Sequence, residues 1–175
     1  MEELIELIKE RRSIGKVKEK EVPKETVCKL LDAAIYAPNH FRTQPWRFIV
    51  FMGKGREKLA QIFDAAMLNG AMVFRAPVIL TVISSPKDDP KIIEREEYAA
   101  VCAACQNILL AAWCLGLGAI WRTGEAAYNK KVKELLGLKE KEEIVAFIYV
   151  GYKDIKPRDF ERTPFEEKTT WILTP

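Results

Sequence analysis

Three short stretches carry polar groups in patterns that can bind a ligand. The first is Arg11-Arg12-Ser13, at the end of an N-terminal helical pattern. Two guanidiniums and a hydroxyl can hold a phosphate, because arginine offers a charged, forked set of donors. Basic residues at a helix C-terminus also complement its dipole, so both readings stand at this point. The second is "NHFRTQ", residues 39–44, which puts Asn39, His40 and Gln44 directly before a strongly apolar run. The third is Trp121-Arg122-Thr123, where a buried apolar segment ends. A Trp beside an Arg is ordinary core edge in one reading and the wall of a planar-ligand site in the other.

Other chemistries are excluded or weakened. The chain has one His, so a His-rich metal centre and an H-E-x-x-H motif are both ruled out. No G-x-S-x-G elbow provides a serine nucleophile. "GKGREK" contains G-x-G without the rest of a dinucleotide or P-loop fingerprint, and reads as a turn into a helix. The carboxylates fall on polar helix faces or in turns, so no acid–base pair stands out and no catalytic side chain is assigned. "CAAC", Cys102 to Cys105, has redox or zinc spacing but lies inside an apolar helical run, with no second Cys/His pair. A redox pair would open a helix, where the dipole lowers a thiol pKa. Buried packing thiols are the expectation. With no signal-peptide pattern, they point to a reducing cytoplasm.

The elements that must position these groups follow from periodicity. Residues 2–12 read as a helix, with Leu4, Ile5, Leu7 and Ile8 on one side. A second helix runs from about Pro23 and is stopped by Pro38. "WRFIVF", "APVILTVISS", "GAIWRTG" and "EIVAFIYVGY" read as strands, rich in aromatic and β-branched residues. "GKGREKLAQIFDAAML", the segment Tyr98–Leu115 and "NKKVKELLGL" read as the remaining helices. The expected fold is therefore α/β or α+β, one domain over 1–175, with a single central sheet.

Lys and Arg total 28 against 25 Asp and Glu, a net charge of +3 spread through the chain, which implies no nucleic-acid partner. From Tyr98 to Trp121 the chain is apolar enough to span a bilayer. Its Ala and Cys content and the "LGLG" break favour burial in a core or subunit interface instead, with no membrane partner. The charged tail carries Phe160, Phe165, Trp171 and Ile172, which need a surface to pack on. An arm on a partner subunit is the expectation.

Taken together, the motifs resemble the FMN-dependent nitroreductases, most closely the short, single-domain NAD(P)H nitroreductase branch. The resemblance rests on "ERRS", "APNHFRTQPWRFIV", "AACQNILLAAWCLGLGAIWRTG" and "ELLGL…EIVAFIYVGY", and covers nearly the whole chain. It implies an α+β fold with a mainly antiparallel sheet flanked by helices, in an intertwined homodimer with FMN at the interface. It implies that Arg11 and Ser13 contact the phosphate, with Arg12 near the polar tail or ring edge. Asn39, His40 and Gln44 would line the flavin from the second subunit, and Trp121, Arg122 and Thr123 would lie along the ring. The implied activity is hydride transfer from NAD(P)H through FMN to a small-molecule acceptor such as a nitroaromatic or quinone, by a ping-pong mechanism. Alternatives are another reductive reaction on the same fold (metabolite reduction, dehalogenation, flavin fragmentation) or a non-catalytic flavin-binding module. Many relatives place a cation two residues after the Ser. Here Gly15 stands there, leaving Lys16, Arg12 and Arg122 as candidates to neutralise the reduced ring. Lys156, Arg158 and Arg162 are candidates for a C-terminal phosphate contact.

Overall fold

A computed structural model describes residues 2–157 and 160–173. Arg158 lies outside the described residues. The elements run α1 (Glu2–Glu10), α2 (Lys24–Ala34), β1 (Trp46–Met52), α3 (Gly55–Ala65), β2 (Val78–Ser84), α4 (Glu94–Cys114), β3 (Leu117–Arg122), α5 (Gly124–Tyr128), α6 (Lys130–Leu135) and β4 (Glu143–Tyr152). Short 3₁₀ turns occupy His40–Arg42, Gly70–Arg75 and Phe165–Lys168.

The sheet has order β1-β2-β4-β3, and every pairing is antiparallel. Helices cover both faces. Val78, Leu80 and Val82 of β2 face α2 and α4, together with Ile148 and Val150 of β4. Ile79, Phe147 and Tyr149 face α3, α5 and α6. The two inner strands are thus buried on both sides, which is why they read as unbroken apolar runs rather than as alternation. Each large aliphatic removed from water there contributes roughly 1.5–3 kcal/mol.

The long helix α4 starts four residues before the expected Tyr98, because "EREE" forms its first turn and suits the positive end of the helix dipole. Its inner face, from Ala100 through Ala104 and Ile108 to Ala112, is buried against the sheet. The helix is long and apolar enough to cross a membrane by length and composition. Cys105 is fully buried, and burial raises the pKa of both Cys102 and Cys105, as inert packing thiols require. The tail aromatics Phe160, Phe165 and Trp171 are exposed on the single chain, as are Ile172 and Leu4, Ile5 and Ile8 of α1.

Two local features decide where the polar stretches go. Between α1 and α2 the chain runs across the end of the sheet. The Ile14 amide donates to the Ala119 carbonyl at 2.9 Å, and Val17 bridges Lys153. This segment lies flat because Gly118 and Gly151 are cross-strand partners with no side chains. A Cβ on Gly118 would sit 2.7 Å from Ile14, and one on Gly151 would sit 2.7 Å from Val17. The second feature is a bulge in β4. Val82 pairs Ala146 and Ile83 pairs Ile144, so Val145 has no partner opposite it.

Candidate functional site

Arg11, Arg12 and Ser13 leave α1 together as the chain enters the flat segment. Arg11 Nη1 is buried without a hydrogen-bond partner, and so is Arg12 Nε. Arg12 Nη1 donates to the carbonyls of Lys9 and Arg11. Burial, then the nearby Arg162 and Arg12 guanidiniums, lowers the Arg11 pKa from its ordinary value. Three cations therefore gather with no carboxylate paired to them among the described residues. That arrangement costs free energy unless an anion completes it. Of the C-terminal candidates, Arg162 is close enough to act on Arg11, while Lys156 lines a shallow groove with Arg12 and Trp113.

Trp121 and Arg122 are neighbours in β3, so their side chains go to opposite faces of the sheet. Trp121 packs on the α2/α4 side. Its indole Nε1 donates to the Val145 carbonyl at 3.0 Å, filling the acceptor that the bulge leaves beyond the last β3 pair. Arg122 and Thr123 instead line a cavity of about 540 Å³ on the α3 side. Phe147 and Tyr149 of β4 form its floor, and Met67, Asn69 and Met72 form its rim. The Arg122 guanidinium lies 5.5 Å from the centroid of the Tyr149 ring, with Nε buried and unpartnered. Burial raises the Tyr149 pKa, opposed by Arg122 and Arg75. The adjacent Gly70 is held tight. Its amide donates to Asp64 Oδ1 at 2.9 Å, and a Cβ there would sit 2.5 Å from the Ala60 carbonyl. The rim residues Met67, Asn69 and Met72 escaped sequence reasoning. The "NG" pair marked a turn, and nothing local tied that turn to Arg122.

Asn39, His40 and Gln44 fall elsewhere. Asn39 and His40 line a separate groove of about 360 Å³ against Glu96, Ala99 and Ala103 of α4. Within one chain they do not share the cavity of Arg122. Much of Asn39 is spent inside its own loop: Oδ1 accepts from the Gln44 amide at 3.0 Å, and Nδ2 donates to the Ala37 carbonyl at 3.2 Å. His40 Nδ1 lies 3.8 Å from Glu96 Oε2. Phe41, Arg42 and Gln44 all have positive φ, a conformation that costs non-glycine residues of order 1–3 kcal/mol each. Thr43 anchors the loop by donating to Glu97 Oε1 at 2.6 Å, and Glu97 is only 1% exposed. Glu97 was missed because an acid at the edge of an apolar run reads as lying outside the helix.

An antiparallel sheet wrapped by helices on both faces, with an arginine cluster at the end of α1 and an aromatic-floored cavity at Arg122, suits a flavin-binding oxidoreductase. The Nitroreductase family profile matches residues 8–72 and 64–152, and the chain belongs to that family. It is similar to YfhC of Bacillus subtilis, which carries an NAD(P)H nitroreductase name. The two are 33% identical over 95% of this chain and 93% of that one. Among solved structures, it is similar to a nitroreductase-like family protein from Bacillus cereus, with 34% identity and a TM-score of 0.88, covering 97% of this chain and 95% of that one. It is also similar to a protein from Desulfovibrio desulfuricans that carries a nitroreductase name and was solved in complex with FMN. That match has 30% identity and a TM-score of 0.82 and covers 98% of each chain.

Proposed function

We propose that the protein is an FMN-dependent oxidoreductase that takes a hydride from NAD(P)H and delivers it to a small-molecule acceptor such as a nitroaromatic or quinone. The observation that carries this reading is the set of buried guanidinium atoms without partners: Arg11 Nη1, Arg12 Nε and Arg122 Nε. They fit a ligand that has a phosphate at one end and a polar-edged ring at the other. Bound FMN supplies the electron-carrying ring.

The chain supplies binding and position. Arg11 and Ser13 hold the phosphate, with Arg162 as the C-terminal contact. Arg12, already fixed to the Lys9 and Arg11 carbonyls, lends its remaining donor to the same end. Arg122 and Thr123 bound the ring, over the apolar floor of Phe147 and Tyr149. Trp121 contributes through the strand, since its indole bonds the Val145 carbonyl at the bulge, on the face opposite Arg122. Asn39, His40 and Gln44 close the site from the second copy of a homodimer. The exposed tail aromatics and the exposed apolar face of α1 support that assembly. Their burial should bring the interface above the roughly 2,000 Å² of permanent complexes. The working compartment is the cytoplasm, in keeping with four free cysteines.

Because both substrates meet one ring, they react in turn. The test is direct. Purified protein is loaded with FMN and mixed anaerobically with NADH. The flavin absorbance should bleach without acceptor and return when a quinone is added. Initial rates should give parallel double-reciprocal lines. Failure to retain FMN at micromolar concentrations would overturn the reading. Intersecting lines would remove the ping-pong order alone.

A further inference from the structure

Glu97 is buried on the inner side of α4, in line with Ala100, Val101 and Ala104 on a face that is otherwise apolar. Its Oε1 accepts a bond from Thr43. Its Oε2 is buried with no hydrogen-bond partner, and no cation pairs with Glu97 among the described residues. A carboxylate so placed costs stability, whereas a leucine of similar volume would not. The helix dipole does not require it, because Glu94 and Glu96 serve the first turn of α4 from more exposed positions.

What Glu97 holds is the loop of residues 39–44. Phe41, Arg42 and Gln44 have φ of 50°, 53° and 50°, left-handed backbone that favours glycine. All three are exposed, so packing does not enforce that conformation. Thr43 is the buried residue of the six. Its hydroxyl has one proton and two acceptors in reach: the His40 carbonyl at 3.1 Å and Glu97 Oε1 at 2.6 Å. The carboxylate is the nearer and stronger acceptor, so it takes the bond. The His40 carbonyl is already served by the Thr43 amide at 3.1 Å. Asn39 Oδ1 closes the loop from its other side through the Gln44 amide. Strained backbone persists only where its surroundings over-determine it. Among the described residues, the side-chain hydrogen bond that ties this loop to the core is the one from Thr43 to Glu97.

We infer that Glu97 is a positioning residue for FMN: through Thr43 it holds residues 39–44 in the strained form that meets the flavin of the second copy. This rests on the FMN reading above. Glu97 itself touches no flavin. Its effect is to prepare the loop before binding. With the tie released, Phe41, Arg42 and Gln44 relax toward the backbone conformations that such residues prefer. FMN must then select or restore the strained form, and its apparent affinity falls by the fraction of loops that have relaxed. The unpartnered Oε2 is the cost of this arrangement in the flavin-free protein, so stability and flavin affinity respond to Glu97 in opposite directions.

The test compares wild type, Thr43→Ser, Thr43→Val, Glu97→Leu and the double variant Thr43→Val/Glu97→Leu. Three quantities are read for each: the urea midpoint without flavin, the FMN dissociation constant by fluorescence, and the rate of trypsin cleavage after Arg42 without flavin. Glu97→Leu should keep or raise the urea midpoint and still weaken FMN about tenfold. Thr43→Val should weaken FMN to a similar extent, and the double variant no further, because both changes break one contact. Thr43→Ser keeps the hydroxyl and should stay within about twofold of wild type. Trypsin should cut Glu97→Leu about tenfold faster than wild type, since a released loop opens more often. If Glu97→Leu does not fold, the contrast between Thr43→Val and Thr43→Ser decides the matter. Wild-type FMN affinity in folded Glu97→Leu and Thr43→Val, or additive losses in the double variant, would overturn the inference while leaving the FMN reading intact. A wild-type chain that takes up no FMN would remove that reading and the inference with it.

Discussion

Replacing Arg11 by alanine distinguishes two accounts of the same side chain through opposite signs. If Arg11 serves the dipole of α1, its loss destabilises the flavin-free protein by about 0.3–1 kcal/mol and leaves FMN affinity alone. If Arg11 awaits a phosphate, the flavin-free protein gains or stays level. Arg11 is held among like charges there, with burial, Arg162 and Arg12 all disfavouring its charged form. Holo protein then loses a charged hydrogen bond from Nη1, which has no other partner. Such a bond contributes about 1.5–3 kcal/mol, so FMN binding should weaken roughly ten- to a hundredfold. The assay is a pair of measurements on each protein: urea unfolding without flavin, and FMN titration followed by fluorescence quenching. Raising the salt from low to physiological strength should narrow the affinity gap, since the lost contact is ionic. Flavin-free protein destabilised by 1 kcal/mol with unchanged FMN affinity would refute the phosphate assignment.

Further outcomes follow from the same geometry. Trp121→Phe should cost about 1–3 kcal/mol by orphaning the Val145 carbonyl, with oxidised-FMN affinity within about twofold of wild type, read by thermal melting and flavin titration. Arg47 forks onto Glu142 at 2.9 and 2.8 Å, and Glu142 is only 3% exposed. Burial pushes the Glu142 pKa up, but the Arg47 fork, the Lys139 amide and Ser85 outweigh it and hold it below its ordinary value. Its stabilising contribution is therefore present above the unfolded-state pKa near 4.5 and lost as pH falls through the folded one. Arg47→Met should cost about 3 kcal/mol at neutral pH, and the penalty should shrink in urea titrations at acid pH, where the stranded carboxylate is protonated. Gly118→Val should displace Ile14 and the segment carrying Ser13 and Gly15. It should lower the melting temperature and FMN affinity together, whereas a purely local clash would spare the affinity.

Much of the fold was legible because its signals are local. β4 was expected over 143–152 and spans Glu143–Tyr152, since a long β-branched and aromatic run has no other stable use. α2 was legible from Val27, Leu30 and Ala34, which are buried at helical spacing. α5 was not. It has five residues, starts at a left-handed Gly124, and is too short for periodicity to register. The early start of α4 was hidden because Glu97 is buried through a contact with Thr43, far away in the sequence.

The site divides along the same line. The order of residues sets the chemistry on offer: guanidiniums, a hydroxyl, amides and an indole in short stretches whose composition is the same wherever they land. Which of them meet depends on how the chain packs. Alternation along β3 sends Trp121 into the core beside α4 and Arg122 into the opposite cavity, although they are adjacent in the chain. The flat made by Gly118 and Gly151 lets residues 14–17 cross the sheet. That crossing brings Gly15 against Arg122 and makes a missing side chain at one position the room for a charge from another. Residue type is a property of single positions. Juxtaposition depends on register and close approach, which form only when the sheet does.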